Sequence, residues 1–174
     1  MNKQIELLEQ SKTNFIALDK AKQYLRVEHT HDDEMIQDML EMVLVAAENY
    51  IGICIAQSSW KLTLYDNLPS LIKLSPGPIV KLEQFKLYRG NNEVSYLTNE
   101  HYILDKFAEN LRLFKHYPIQ KAEITYHTGY EKLPAPIKQG MLEHLAKLYD
   151  LRGGDQALPL AAKSLYQAYK RVRL

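Results

Sequence analysis

The spacing of hydrophobic and polar positions changes period twice along this chain, dividing it into a helical, a strand-rich and a second helical third. In the first, Leu18, Ala21, Lys22, Leu25 and Val27 fit a short helix whose first turn carries Asp19, an acid suited to the positive end of a helix dipole. A polar turn follows over Glu28-His29-Thr30-His31. Ile36, Met39, Leu40, Val43, Leu44, Ala47, Tyr50 and Ile51 then repeat at the three-and-four spacing of an amphipathic helix, which Asp32, Asp33 and Glu34 open and Gly52 should end. So short a connector predicts an antiparallel αα-hairpin over 17–52.

From residue 57 the period falls to two. Trp60, Leu62 and Leu64 alternate with Ser59, Lys61 and Thr63, and Phe85 and Leu87 with Lys86 and Tyr88, as strands with one wet face do. Further short strands are expected at Val94 to Leu97, Tyr102 to Leu104, Leu111 to Leu113 and Ala122 to Tyr126, giving a β lobe over 57–128. Gly90-Asn91-Asn92 reads as a hairpin loop, and Ser75-Pro76-Gly77-Pro78 breaks any ladder by removing two backbone donors. The strand from Ala122 should stop at Gly129, where a positive φ is cheap. Pro134 and Pro136 hold off the next helix, and Ile137, Met141, Leu145, Leu148 and Tyr149 share its face. It should run from Ala135 to about Leu151 and stop at Gly153-Gly154, with a last helix from Pro159 through Leu165, Tyr169 and Val172. The order predicts an α+β fold: the N-terminal hairpin and the two C-terminal helices over 135–172 form a small bundle, with the antiparallel β lobe inserted between them in one domain, 1–174.

Composition narrows the function classes. At 174 residues, with 46% hydrophobic and 25% charged side chains, the chain can bury a core. Its net charge of +1, from 22 basic and 21 acidic residues, gives no overall case for nucleic acid or an anionic membrane as the main partner. The distribution is uneven: no acid follows Asp155, while Lys163, Lys170, Arg171 and Arg173 do. One cysteine, Cys54, excludes a disulfide framework; no segment resembles a signal peptide or a membrane span, so a soluble protein made in the cytoplasm is expected.

Candidate chemistry is sparse. His29 and His31 with Asp32, Asp33 and Glu34 form the densest set of potential metal ligands, but acids at a helix start stabilise its dipole without a metal. Cys54 lies between Ile53 and Ile55, an apolar setting that raises a thiol pKa and makes it inert. His127 and His144 belong to no motif, and GxSxG, Walker A, GxGxxG, HExxH and CxxC patterns do not occur. The expectation is therefore no catalytic residue, no cofactor and no metal. Twelve tyrosines against one tryptophan and four phenylalanines suit subunit contacts, with Tyr166 and Tyr169 near the terminus the best placed for them.

From Leu18 onward, several segments in order carry a resemblance: Leu18-Asp19-Lys20-Ala21-Lys22-Gln23-Tyr24-Leu25-Arg26-Val27, Asp32-Asp33-Glu34 with Ile36, Ala46-Ala47-Glu48-Asn49-Tyr50-Ile51-Gly52, and Gln57-Ser58-Ser59-Trp60-Lys61-Leu62-Thr63-Leu64. The Leu74 to Pro78 loop, Tyr126-His127-Thr128-Gly129-Tyr130, Leu133-Pro134-Ala135-Pro136-Ile137-Lys138-Gln139, Leu158-Pro159-Leu160-Ala161 and the basic end from Tyr169 continue it. Over residues 15–174 the chain resembles the head-to-tail connector proteins of long-tailed bacteriophages and prophages, also called adaptor or head-completion proteins. It departs from them at Ala17, where that family often has a capping serine or threonine, and in its short 153–157 link.

The resemblance implies a structural assembly protein of the virion head-tail junction, made in the bacterial host cytoplasm. It implies a homo-oligomeric, twelvefold ring below the portal protein that extends the DNA channel and docks the next connector or tail-terminator protein. Packaged DNA would pass without specific recognition, and no membrane is involved. The same resemblance assigns Tyr166, Tyr169, Lys170, Arg171 and Arg173 to the portal interface. Two other readings stand beside it: a DNA-binding module using the basic C-terminal segment, and an uncharacterised enzyme.

Overall fold

The computed structural model describes residues 2–11, 15–66, 68–90, 93–152, 154 and 156–171. Its architecture is α+β, and its internal contacts separate two compact units, each assembled from two stretches of sequence. Residues 1–12 and 56–130 form a β unit; residues 13–55 and 131–174 form a helical unit.

In the β unit, a five-stranded antiparallel sheet has the order β1-β2-β8-β4-β5, with β1 Lys3–Gln10, β2 Ser58–Tyr65, β4 Ile79–Tyr88, β5 Val94–Tyr96 and β8 Lys121–Thr128. A three-stranded antiparallel sheet, β3-β7-β6, contains β3 Leu71–Lys73, β6 Tyr102–Asp105 and β7 Asn110–Leu113. Both sheets feed one core. Leu62, Leu64, Phe85, Leu87, Ile124 and Tyr126 enter it from the larger sheet, and Ile72, Tyr102 and Leu111 from the smaller. Alternation along β8 is complete, with Ala122, Ile124, Tyr126 and Thr128 buried and the residues between them half-buried. Trp60, expected on the face of Leu62 and Leu64, packs against that core half-buried, and its Nε1–H donates to Thr128 Oγ1 at 3.1 Å. The Tyr126 hydroxyl donates to the Ser75 carbonyl at 2.7 Å and so ties the Ser75–Pro78 loop to the central strand.

Gly129 ends β8 as expected. Its φ is +103°, and a Cβ there would lie 2.5 Å from the Ala56 carbonyl oxygen, so both conformation and space require glycine. Two strands were not foreseen. β1 has adjacent Leu7 and Leu8 and a register shift between Leu7 and Glu9, which together hide the period of two. β3 is only three residues long. β4 starts six residues before the expected Phe85, with register shifts at Ile79/Lys81 and Leu82/Gln84 breaking its alternation.

In the helical unit, α1 spans Leu18–Leu25, α2 Asp33–Ile51, α3 Ala135–Asp150 and α4 Leu160–Tyr166, followed by a 3-10 turn at Gln167–Tyr169. Ala17 at the head of α1 makes no side-chain cap hydrogen bond, and Arg26 ends the helix at φ 58°. α2 ends at Gly52, φ 81°, whose N–H donates to the Glu48 carbonyl. Ile36, Val43, Ala47 and Ile51 face Ile137, Leu145 and Leu148 in a core that excludes water from all seven. The last helix is shorter than expected: its α-helical part ends at Tyr166 and the 3-10 turn at Tyr169, and Val172 lies outside the described residues, as do Asn91, Asn92 and Gly153.

Candidate functional site

Of the residues assigned to a partner contact, Tyr166, Lys170 and Arg171 lie against the C-terminal end of α2. Beyond Gly52 the chain turns through Ile53, Cys54 and Ile55, and the Ile55 N–H donates to Glu48 Oε1 at 2.7 Å. The C-terminal segment comes back to this point from α4. After the 3-10 turn, Lys170 is extended, and the Arg171 N–H donates to the Ile51 carbonyl at 2.8 Å, satisfying one of the acceptors that a helix end leaves open. Lys170 Nζ stands 4.3 Å from the centre of the Tyr50 ring, a cation–π contact. Asn49 to Gly52 on one side and Gln167, Lys170 and Arg171 on the other enclose a groove of about 730 Å³. The negative pole of α2 and two cations therefore meet at one edge of the helical unit. Burial holds the Arg171 guanidinium below its ordinary value, with the Cys54 sulfur acting in the opposite direction.

Only part of the expected set is displayed there. Tyr166 is 0% exposed: its ring lies on Gly140 of α3, where any Cβ would collide with it, and sits 6.1 Å from the Tyr50 ring. Burial pushes its hydroxyl above the usual tyrosine range. Tyr166 is thus a core residue whose side chain offers no surface to a partner. Gly140 is the sequence signal for this, since a glycine inside a helix marks a close approach. Tyr169 and Arg171 are half-buried, Lys170 is exposed, and Arg173 lies outside the described residues.

Two of the candidate metal ligands, Asp32 and Asp33, have other partners. Asp32 stands at the head of α2 without a side-chain cap hydrogen bond; it accepts from the Tyr149 hydroxyl at 2.6 Å, while Asp33 pairs with Lys22 at 2.6 Å. These acids tie α2 to α3 and α1, a role sequence reasoning had given to capping. Among the described residues, no group of three or more His, Cys, Asp or Glu side chains could hold a metal ion. His127 Nε2 lies 3.0 Å from Glu83, and His144 is buried within the helical unit. Cys54 is half-buried rather than enclosed. No helix among the described residues is long and apolar enough to cross a membrane.

Four of the twelve tyrosines serve as internal ties through their hydroxyls. Tyr24 donates to Glu143 at 3.0 Å and Tyr88 to Glu123 at 2.6 Å, besides the Tyr126 and Tyr149 bonds above. Burial and then the Glu143 contact raise the Tyr24 pKa; for Tyr88 the Glu123 hydrogen bond is the larger cause. Burial works to raise Glu123, but hydrogen bonds from Tyr88 and Lys121 outweigh it and leave the carboxyl below its ordinary value.

No family model matches the chain, and no curated protein matches it in sequence. Solved structures share its fold over nearly its whole length. A chain in the neck of an empty gene transfer agent (GTA) particle, computed with C6 symmetry, aligns with a TM-score of 0.77 at 15% identity, covering 98% of this chain and 97% of that one. A chain in the virion of the native GTA particle gives 0.75 at 16% identity, covering 98% and 96%. A third, in the neck of the native particle computed with C12 symmetry, gives 0.71 at 16% identity, covering 97% of each chain. At such identities the likeness establishes the fold.

Proposed function

We propose that this protein is a head-to-tail connector of a tailed phage or phage-like particle. Its copies form a closed ring beneath the portal, extend the DNA channel, and present the docking surface for the next connector or tail-terminator protein. The observation that carries this reading is the agreement of the whole fold, both units together, with chains of particle necks. A twelvefold ring is compatible with both computed symmetries, because C12 contains C6. The portal-facing edge is the end of α2 with Tyr169, Lys170 and Arg171, continued by Arg173. Its cations contact protein rather than grip DNA, since a channel through which DNA slides gains nothing from tight phosphate binding.

Electron microscopy and quantitative mass spectrometry of particles purified from a producing strain test the reading. A ring of this chain between portal and tail is expected; particles that keep their tails after deletion of its gene would overturn it. Removing residues 170–174 should leave a folded chain that no longer attaches to portal particles, and undiminished attachment would remove that edge from the interface.

A further inference from the structure

A ring needs two unlike faces on each subunit, and the helical unit carries a pair matched in charge and in apolar character. α2 contains Asp33, Glu34, Asp38, Glu41 and Glu48 and no lysine or arginine. Asp33 is bound to Lys22, and Glu48 accepts from Ile55. Glu34, Asp38 and Glu41 are exposed, on the side of α2 opposite its buried stripe. Along the same side, Met42 (40% exposed) and Val45 (54%) break the polar surface, and Asp38, Glu41, Met42, Val45, Ala46 and Asn49 line a shallow groove of about 530 Å³. An acidic half thus passes into an apolar half along one helix.

α4 offers the complement. Leu160 is 80% exposed, and Lys163, half-buried, lies one turn on beside it, flanked by exposed Ser164 and Gln167. The segment after residue 155 has four cations and no acid. We infer that the outer face of α2 in one copy receives the outer face of α4, Leu160 and Lys163, from the next copy in the ring. Helix geometry supports an antiparallel seating. Leu160 and Lys163 are separated by about 4.5 Å along their axis, and Val45 and Glu41 by about 6 Å, so Leu160 settles over Met42 and Val45 while Lys163 reaches Glu41 and Asp38. The contact is heterologous: each copy uses its α2 face on one side and its α4 face on the other, leaving one of each open to continue the ring. Lys170, stacked on its own Tyr50, stays available to the portal.

The inference rests on the ring reading and has its own test. Self-association of the full-length chain is followed by sedimentation at low salt, with circular dichroism verifying that each variant keeps wild-type secondary structure. Asp38→Lys with Glu41→Lys, and separately Lys163→Glu, are expected to weaken association roughly tenfold or more, because like charges then face each other. The two variants mixed should recover it, as should one chain carrying all three substitutions. Leu160→Asp should weaken association and be rescued by neither. Reversed variants that associate like wild type, or a wild-type chain that stays monomeric at about millimolar concentration, would overturn the pairing. The two readings fail separately. Wild-type rings in particles that tolerate every substitution refute this face alone, whereas a chain that pairs this way in solution but is missing from particle necks refutes the connector reading.

Discussion

The β unit and the helical unit are held together in different ways. The β unit aligns its strands by backbone ladders around one continuous apolar cluster fed by two sheets, and side-chain bonds such as Tyr126 to Ser75 and Trp60 to Thr128 add to those ladders. Among its described residues the helical unit has no ladder between its elements, which are aligned by their buried stripes and by specific side-chain links: Lys22 to Asp33, Tyr149 to Asp32, Tyr24 to Glu143, and the Tyr166 ring on Gly140. Area burial is tolerant of small shifts, whereas point links fix position. Links of this kind hold α2 against α1 and α3 and so keep charges such as Glu41 at defined places, which assembly requires.

Substitutions in the two units test that contrast. Trp60, the only tryptophan, reports the β unit by fluorescence, and far-UV circular dichroism is dominated by the four helices. The largest effect is expected from Phe85→Ala, which empties a fully buried site at a cost of about 4 kcal/mol and should move the fluorescence transition in urea first. Coincident shifts of both probes would mean that the units unfold as one. Gly140→Ala comes next, at about 2 kcal/mol, because the new methyl displaces the Tyr166 ring; the circular dichroism transition should carry the loss. Pairing it with Tyr166→Leu should recover part of the cost, and strict additivity would show that the ring contact is not the cause.

Tyr149→Phe removes a single tie between α3 and α2, with a smaller loss expected in the same denaturation. Its pH dependence has a definite sign. The hydrogen bond to Asp32, with burial second, raises the Tyr149 pKa above the ordinary 10.0, so its contribution is complete below that pH and is lost as pH rises through the folded value. The variant should lack that share of the alkaline decline. The smallest effect belongs to Glu123 of the β unit, whose carboxyl is held below its ordinary 4.5. Its contribution is present above that pH and lost as pH falls through the folded value, so Glu123→Gln should flatten the acid limb of the Trp60 signal by a few tenths of a kcal/mol, on the order expected for a half-exposed ion pair.

Much of this organisation is legible in the sequence wherever one residue decides an outcome. Gly52 and Gly129 end their elements because positive φ is needed there, and Pro134 and Pro136 place the start of α3 to within a residue. The long stripe of α2 is readable for the same reason, since nineteen residues of one period leave little ambiguity. What could not be read depends on partners distant in sequence. β1 is a strand because β2, some fifty residues later, pairs with it; its own alternation is broken at Leu7 and Leu8. The candidate edge was partly legible. The asymmetry of charge after Asp155 pointed to Lys170 and Arg171, but the fate of Tyr166 depends on the space above Gly140, which no local pattern around Tyr166 encodes.

The strand order carries a consequence for synthesis. β8 lies in the middle of the larger sheet, bonded to β2 on one side and β4 on the other, yet among the described residues it is the last strand to be made. While the ribosome works toward residue 128, β1 with β2 and β4 with β5 exist as two separate ribbons, each with an unpaired edge where β8 will go. The helical unit waits as well, because α3 follows β8. This protein should therefore complete both halves nearly at once, only after residue 128 has been made, and its nascent chain is most exposed to mispairing just before the central strand emerges.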